Sequence, residues 1–271
     1  RPETWRMLRR TEAETRTLLG SIGVAESVAT TEMEVVADLP QTVAALDYMA
    51  HMAFGHGHQV RRTMSGWSFR HVPALDLDAI ERRLGDWLKA AGAVSIDEGA
   101  VDADITVLTD DEAIFDSIAE ADRPLPLISQ AMTSTLIVSP RALPTPVRRF
   151  ADRGVTLMAR PGNTVLAIIS GEQDVDARLA STLPGPFPMK RLATTRYRRF
   201  ITADGAPIIG NAGTQFIVAG LGDVAPFFAR SIARLLAGVA DDDEKLWLAA
   251  HDPAVPRAAI ADFVSPAEAT A

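Results

Sequence analysis

Gly220-Leu221-Gly222-Asp223 joins an apolar run, "TQFIVA", to the segment "VAPFFARSIARLLAG". Backbone stripped of Cβ atoms just ahead of a helix presents unpaired N–H groups and the positive end of the helix dipole, which suits an electron-rich ring oxygen or an anion. The same residues serve equally well as a tight strand-to-helix turn with Asp223 capping the helix. His56 and His58 in "FGHGHQ", with His71 as a third donor, either ligate a metal or stand exposed in a glycine loop. No metal centre is expected from them. Ser65, Ser68 and Ser170 lack a G-x-S-x-G context, so hydrolase chemistry has no support. Trp67 and Phe69, two apart on one run, either line a pocket or face a core. Asp241 to Glu244 precede "KLWLAA" and are expected to cap a helix start.

These groups must be held by an alternation of helices and strands. Residues 2–20, with Trp5, Leu8, Leu18 and Leu19, read as an amphipathic helix ended by Gly20, "MEVVADL" (33–39) as a strand, and 42–54 as a helix. In 75–93, Leu77, Ile80, Leu84, Trp87 and Leu88 fall on one helical face, with Gly92 at the expected C-terminal cap. "ADITVLT" (103–109) reads as a short buried strand. "MTSTLIVS", "GVTLMARP", "NTVLAIIS" and "RLATTRYRRFI" then read as an antiparallel sheet, before a return to strand and helix. The expected fold class is α/β, arranged as 1–125, a sheet-rich 126–200, and 201–271.

Composition narrows the partners. A chain of 271 residues with 47% apolar content can bury a large core. Its net charge of -8 argues against a nucleic-acid surface, and the basic runs at 9–10, 61–62 and 196–199 read as solvated faces. The absence of cysteine removes disulfides and thiolate metal sites and fits a cytoplasmic setting. No apolar run approaches the roughly 20 residues of a membrane span, so no membrane association is expected.

Arg199-Phe-Ile-Thr-Ala-Asp204-Gly205-Ala-Pro207-Ile-Ile-Gly210 resembles the "R-P-x-T-P-D-G-x-P-x-I-G" segment of the flavin-dependent amine and amino-acid oxidases, the family of D-amino-acid oxidase, glycine oxidase and sarcosine oxidase. Phe216 to Gly220 resembles that family's strand leading back to the flavin, and 226–238 its final helix. The likeness covers most of 60–260 and is strongest over 199–238. It implies a Rossmann-like FAD domain with an antiparallel substrate domain, and hydride removal from a carbon next to nitrogen, with FAD as acceptor. It also implies that Arg199 holds the carboxylate of a small amine or amino-acid-like molecule, for which a guanidinium fork is well shaped, or else forms a strand-end ion pair with Asp204 or a neighbour. Tyr197, two residues earlier on the same strand face, orients that molecule or packs. Gly220, Gly222 and Asp223 are the implied cofactor contacts.

Several family features are altered. No G-x-G-x-x-G occurs in the sequence, although only glycines let backbone touch a pyrophosphate. The family's second flavin contact aligns with Val107 to Ala113, where Asp110, Asp111 and Glu112 oppose a phosphate-rich cofactor with like charge. The third is shortened to Gly220-Leu-Gly-Asp-Val-Ala-Pro226. The chain opens Arg1-Pro2, so a βαβ unit is expected either to precede it or to have been lost. The expected role is therefore an oxidase-like scaffold, degenerate in flavin binding, that joins a flavin-bearing homologous subunit in an oligomer. The alternatives are a cofactor-independent enzyme on the same scaffold and a truncated active oxidase.

Overall fold

In a computed structural model, the described residues are 2–96, 103–117, 127–139, 141–172, 174–183, 190–202 and 204–256. Those within Arg1–Ala29, Pro73–Leu127 and Asp204–Ala258 form one unit; those within Thr30–Val72 and Ile128–Ala203 form a second.

The first unit is layered around a small sheet. β10 (Ile208–Ala212) and β11 (Gln215–Ala219) form a hairpin, and β11 lies parallel to β4 (Val107–Leu108), with Phe216 opposite Val107 and Ile217 opposite Leu108. Successive side chains of a strand point to opposite faces. Phe216 and Val218 accordingly pack with Phe227, Phe228 and Ile232 of α6 (Ala225–Leu236), Trp247 and Leu248 of α7 (Asp242–Ala249), and Met7 of α1 (Pro2–Ile22). Ile217 and Ala219 pack on the other side with Ile114 of α4 (Asp111–Ser117). Phe228 stacks on Trp247 with ring centroids 4.7 Å apart.

Two expected boundaries move. α1 runs through Gly20 to Ile22 and turns at Gly23, whose φ of 84° lets the Val24 N–H reach the Leu19 carbonyl at 2.8 Å. Trp5 and Leu8 lie outside the described side chains. The strand expected over 103–109 shortens to two residues, because β4 meets β11 only at 107–108. α3 (Leu77–Ala90) starts at an Asp76 cap that accepts the Ala79 N–H at 3.1 Å and ends at Gly92, as expected. Its apolar face is less covered than its periodicity suggests: Ile80 joins Leu19, Val24 and Val28, while Leu77 and Leu88 are exposed.

The second unit carries an eight-stranded sheet in the order β2-β3-β1-β6-β7-β8-β5-β9. These strands are β1 (Val28–Val36), β2 (Val60–Arg62), β3 (Gly66–Leu75), β5 (Leu127–Val138), β6 (Val147–Phe150), β7 (Val155–Arg160), β8 (Thr164–Ser170) and β9 (Lys190–Thr202). β7, β8 and β5 pair antiparallel, as expected, whereas β6, which no expected run covers, pairs antiparallel with β7 and parallel with β1. The strand expected at 33–39 begins earlier, because β1 pairs along the sheet before the chain turns into α2 (Pro40–Gly55). Val36, Phe150, Leu157, Ala167 and Ile137 build a core with Leu179 of α5 (Val175–Thr182). Arg178 of α5 is pinned there, donating to the carbonyls of Arg153, Gly154 and Ser170; burial holds its pKa below the usual arginine value. Trp67 is half-buried, its indole donating to Asp47 of α2 at 2.7 Å, and Phe69 is buried.

Candidate functional site

The expected site residues fall in both units. Tyr197 and Arg199 lie on β9 of the second, Gly220, Gly222 and Asp223 after β11 of the first.

On β9, Thr194 meets Thr135 Oγ1 at 3.0 Å, and Arg198 Nε donates to Ser129 Oγ at 2.9 Å while its guanidinium lies 5.1 Å from the Phe200 ring centroid. Thr135 is opposite Ala167, a member of the core beneath α5. Alternation then sends Tyr197 and Arg199 to the face opposite that core. They share a face, as expected. Tyr197 is exposed and Arg199 half-buried. Asp204 has its Oδ1 within 3.1 Å of the Ala206 N–H, so it organises the turn into β10. Gly210, at the end of the segment "P-I-I-G", must be glycine: with φ of 156°, a Cβ there would sit 2.6 Å from both Asp252 Oδ2 and Pro253 Cδ.

At the carboxyl ends of a parallel strand pair the two following loops emerge side by side, which is where α/β sheets bind ligands. Here β4 is followed by Thr109 to Glu112 and β11 by Gly220 to Asp223. Gly220 and Gly222 both take positive φ, 71° and 51°, so the tight turn requires them. Asp110 caps α4, its Oδ1 accepting the Glu112 N–H at 2.8 Å and the Ala113 N–H at 3.0 Å. Asp111 reaches across: its Oδ1 accepts the Gly220 N–H at 3.1 Å. A carboxylate of the chain thus takes the amide that an electron-rich ligand atom would need.

Asp223 does not cap α6. It sits in a single 3-10 turn, Gly222–Val224, that runs straight into the helix; Val224 occupies the cap position without a side-chain bond, and Pro226 fills the first turn. Proline with its fixed φ and missing N–H starts the helix instead. The cap expected from 241–244 is present as a capping box: Asp241 Oδ1 accepts the Glu244 N–H at 2.9 Å and Glu244 Oε2 accepts the Asp241 N–H at 3.1 Å.

Unforeseen was what Glu244 does next. Its side chain is 0% exposed and is gripped by Arg234, whose Nε donates to both carboxylate oxygens at 2.9 and 3.0 Å. Arg234 also reaches Glu14 at 2.6 Å, and Arg10 pairs with Glu14 and Asp241. Burial pushes the Glu244 carboxyl up, but Arg234, the Asp241 amide and Ser231 together pull it below the ordinary glutamate value. The Glu244 amide and Arg10 lower Asp241 as well, and Glu244 raises Arg234. This cluster ties α1, α6 and the start of α7 together.

Among the described residues no group of three or more His, Asp or Glu is placed to hold a metal ion; His56 ends α2 and His71 lies on β3. Ser68 donates to Glu32 within the sheet. No described helix is long and apolar enough to cross a membrane.

The residues at the β4–β11 edge fit a flavin dinucleotide poorly. Asp110, Asp111, Glu112 and Asp223 are all acids, and the Gly220 amide is already bonded. A phosphate placed 4 Å from one such carboxylate is repelled by about 4 kcal/mol at an effective dielectric constant near 20.

No family model matches the chain, and no curated protein matches it. Solved structures do. L-proline dehydrogenase from P. horikoshii aligns over 92% of this chain and 82% of its own at TM-score 0.68 and 13% identity. Iminodiacetate oxidase from Chelativorans sp. BNC1 aligns over 95% and 86% at 0.67 and 16%. Glycine oxidase from Geobacillus kaustophilus aligns over 88% and 78% at 0.63 and 14%.

Proposed function

With the mixed α/β fold of the amino-acid oxidases and dehydrogenases as the starting point, we propose that this chain is a flavin-oxidase-like scaffold that does not hold FAD by itself and acts as a subunit beside a flavin-bearing homologue. The bond from Gly220 to Asp111 carries this reading. In a dinucleotide fold the glycine crossing gives its N–H groups to the cofactor; here a neighbouring strand end supplies a carboxylate instead. The ligand class is a small amine or amino-acid-like molecule, with Arg199 for its carboxylate and Tyr197 beside it on the sheet face away from α5. A guanidinium offers two parallel N–H groups to a carboxylate, a geometry that lysine lacks.

The test is made on the purified chain. It is expected to be colourless, and calorimetric titration with FAD is expected to give no heat of binding. Co-expression with a flavin-bearing homologue is expected to give a stable complex whose affinity for glycine or proline drops on Arg199→Met. A yellow chain, or FAD binding at micromolar concentration, refutes the proposal.

A further inference from the structure

The two edges of the eight-stranded sheet are built differently. β2 is three residues long and carries Arg61 and Arg62, a short charged strand of the kind that keeps an edge from pairing. β9, at the other end, has thirteen residues, and Lys190 to Arg198 are all exposed. The bonds from Thr194 to Thr135 and from Arg198 to Ser129 show β5 running antiparallel along one side of it. Among the described residues no strand lies on the other side of Lys190–Arg196. An edge shielded only by repulsion would avoid large apolar groups, yet Leu192 is 49% exposed. Residues 190–202 contain no proline, Asp or Glu, while Lys190, Arg191, Arg196, Arg198 and Arg199 concentrate positive charge in a chain of net charge -8. Arg191 pairs with Asp176.

We propose that the Lys190–Arg196 edge of β9 docks an extended acidic segment of a protein partner, added to the sheet as a further strand. Seven residues span about 24 Å and offer main-chain N–H and C=O groups at roughly one ladder bond per residue. Main-chain pairing supplies the affinity, and the cations select an acidic strand over a neutral or basic one. A second copy of β9 is a poor occupant, because its own cations would face these. The proposal rests on the subunit reading for the identity of the partner alone.

The probe is a seven-residue peptide alternating valine and glutamate, with a valine–lysine peptide as comparison, mixed with the intact chain. Binding is read by fluorescence anisotropy and by amide hydrogen exchange. The acidic peptide is expected to bind, to slow exchange within Lys190–Arg196, and to weaken about tenfold or more with Lys190→Glu plus Arg196→Glu or in high salt. Both substituted side chains are exposed, and circular dichroism checks that the variant is folded. Absence of binding, equal binding of the lysine peptide, or protection confined to other strands overturns the proposal. FAD uptake by the chain alone would refute the subunit reading and leave this peptide result standing.

Discussion

Replacing Glu244 with glutamine tests the cluster that ties α1, α6 and α7. The side chain is fully buried, so the substitution keeps its shape and removes its charge. A glutamine still offers one oxygen to Arg234 Nε, but its NH2 group now faces the Arg234 guanidinium or the Asp241 N–H, donor against donor. At least one charge-assisted bond, worth about 1.5–3 kcal/mol, is lost, and a buried donor goes unpaired at about 1–3 kcal/mol. Arg234 retains Glu14 and some solvent contact, which moderates the loss. The expected destabilisation is about 3 kcal/mol, or a fall in Tm of roughly 6–12 °C for a protein of this size. The pH dependence has a definite sign. Glu244 and Asp241 have folded-state pKa values below their unfolded ones, so their contribution is complete above the unfolded values and lost as pH falls through the folded ones. Glu244→Gln should therefore flatten the acid limb of stability against pH and matter most near neutrality. Asp243→Asn, one residue earlier and exposed, is the control and should change little. If thermal denaturation finds Glu244→Gln within about 0.5 kcal/mol of wild type, the cluster does not hold the helices together.

Two further substitutions address other parts of the fold. Gly210→Ala pushes a methyl group against Asp252 and Pro253 and should cost about 1–3 kcal/mol by urea denaturation; an unchanged midpoint would mean that the 251–253 turn moves aside freely. Arg178→Met removes the guanidinium donor from the Arg153 and Ser170 carbonyls, while the Gly154 carbonyl keeps the Ser170 N–H, and should cost about 2–4 kcal/mol, seen as faster amide exchange in β7 and β8 before other strands; uniform exchange would show that α5 is held by its apolar contacts alone.

How much the sequence told depended on how far apart the interacting residues lie. β7 and β8 were readable because both runs are rich in aliphatic and β-branched residues and Gly162 and Asn163 supply a turn between them, so the information is local. The α7 capping box is equally local, since Asp241 and Glu244 are three residues apart. Asp110 to Glu112 were legible only as a run of acids, and not as holding the partner of Gly220, because β4 and β11 meet across more than a hundred residues and no pattern in either strand names the other. Arg234 and Glu14 are 220 positions apart, and on paper each is an ordinary charge on an amphipathic helix. The Asp223 cap failed for a local reason: Pro226 and the 3-10 turn set the helix start without a side chain. Arg199 and Tyr197 were placed on one strand face by simple alternation, which β9 obeys.

The parallel pairing of β4 with β11 also bears on synthesis. At about 5–20 residues per second, Asp111 leaves the ribosome roughly 5–20 seconds before Gly220. Closing so long a loop costs about 4 kcal/mol of chain entropy. During that interval β4 has no mate and the Ile114 side of α4 has no sheet to cover it, so nascent chains stalled before Gly220 should be preferred clients of chaperones that recognise bare apolar surface.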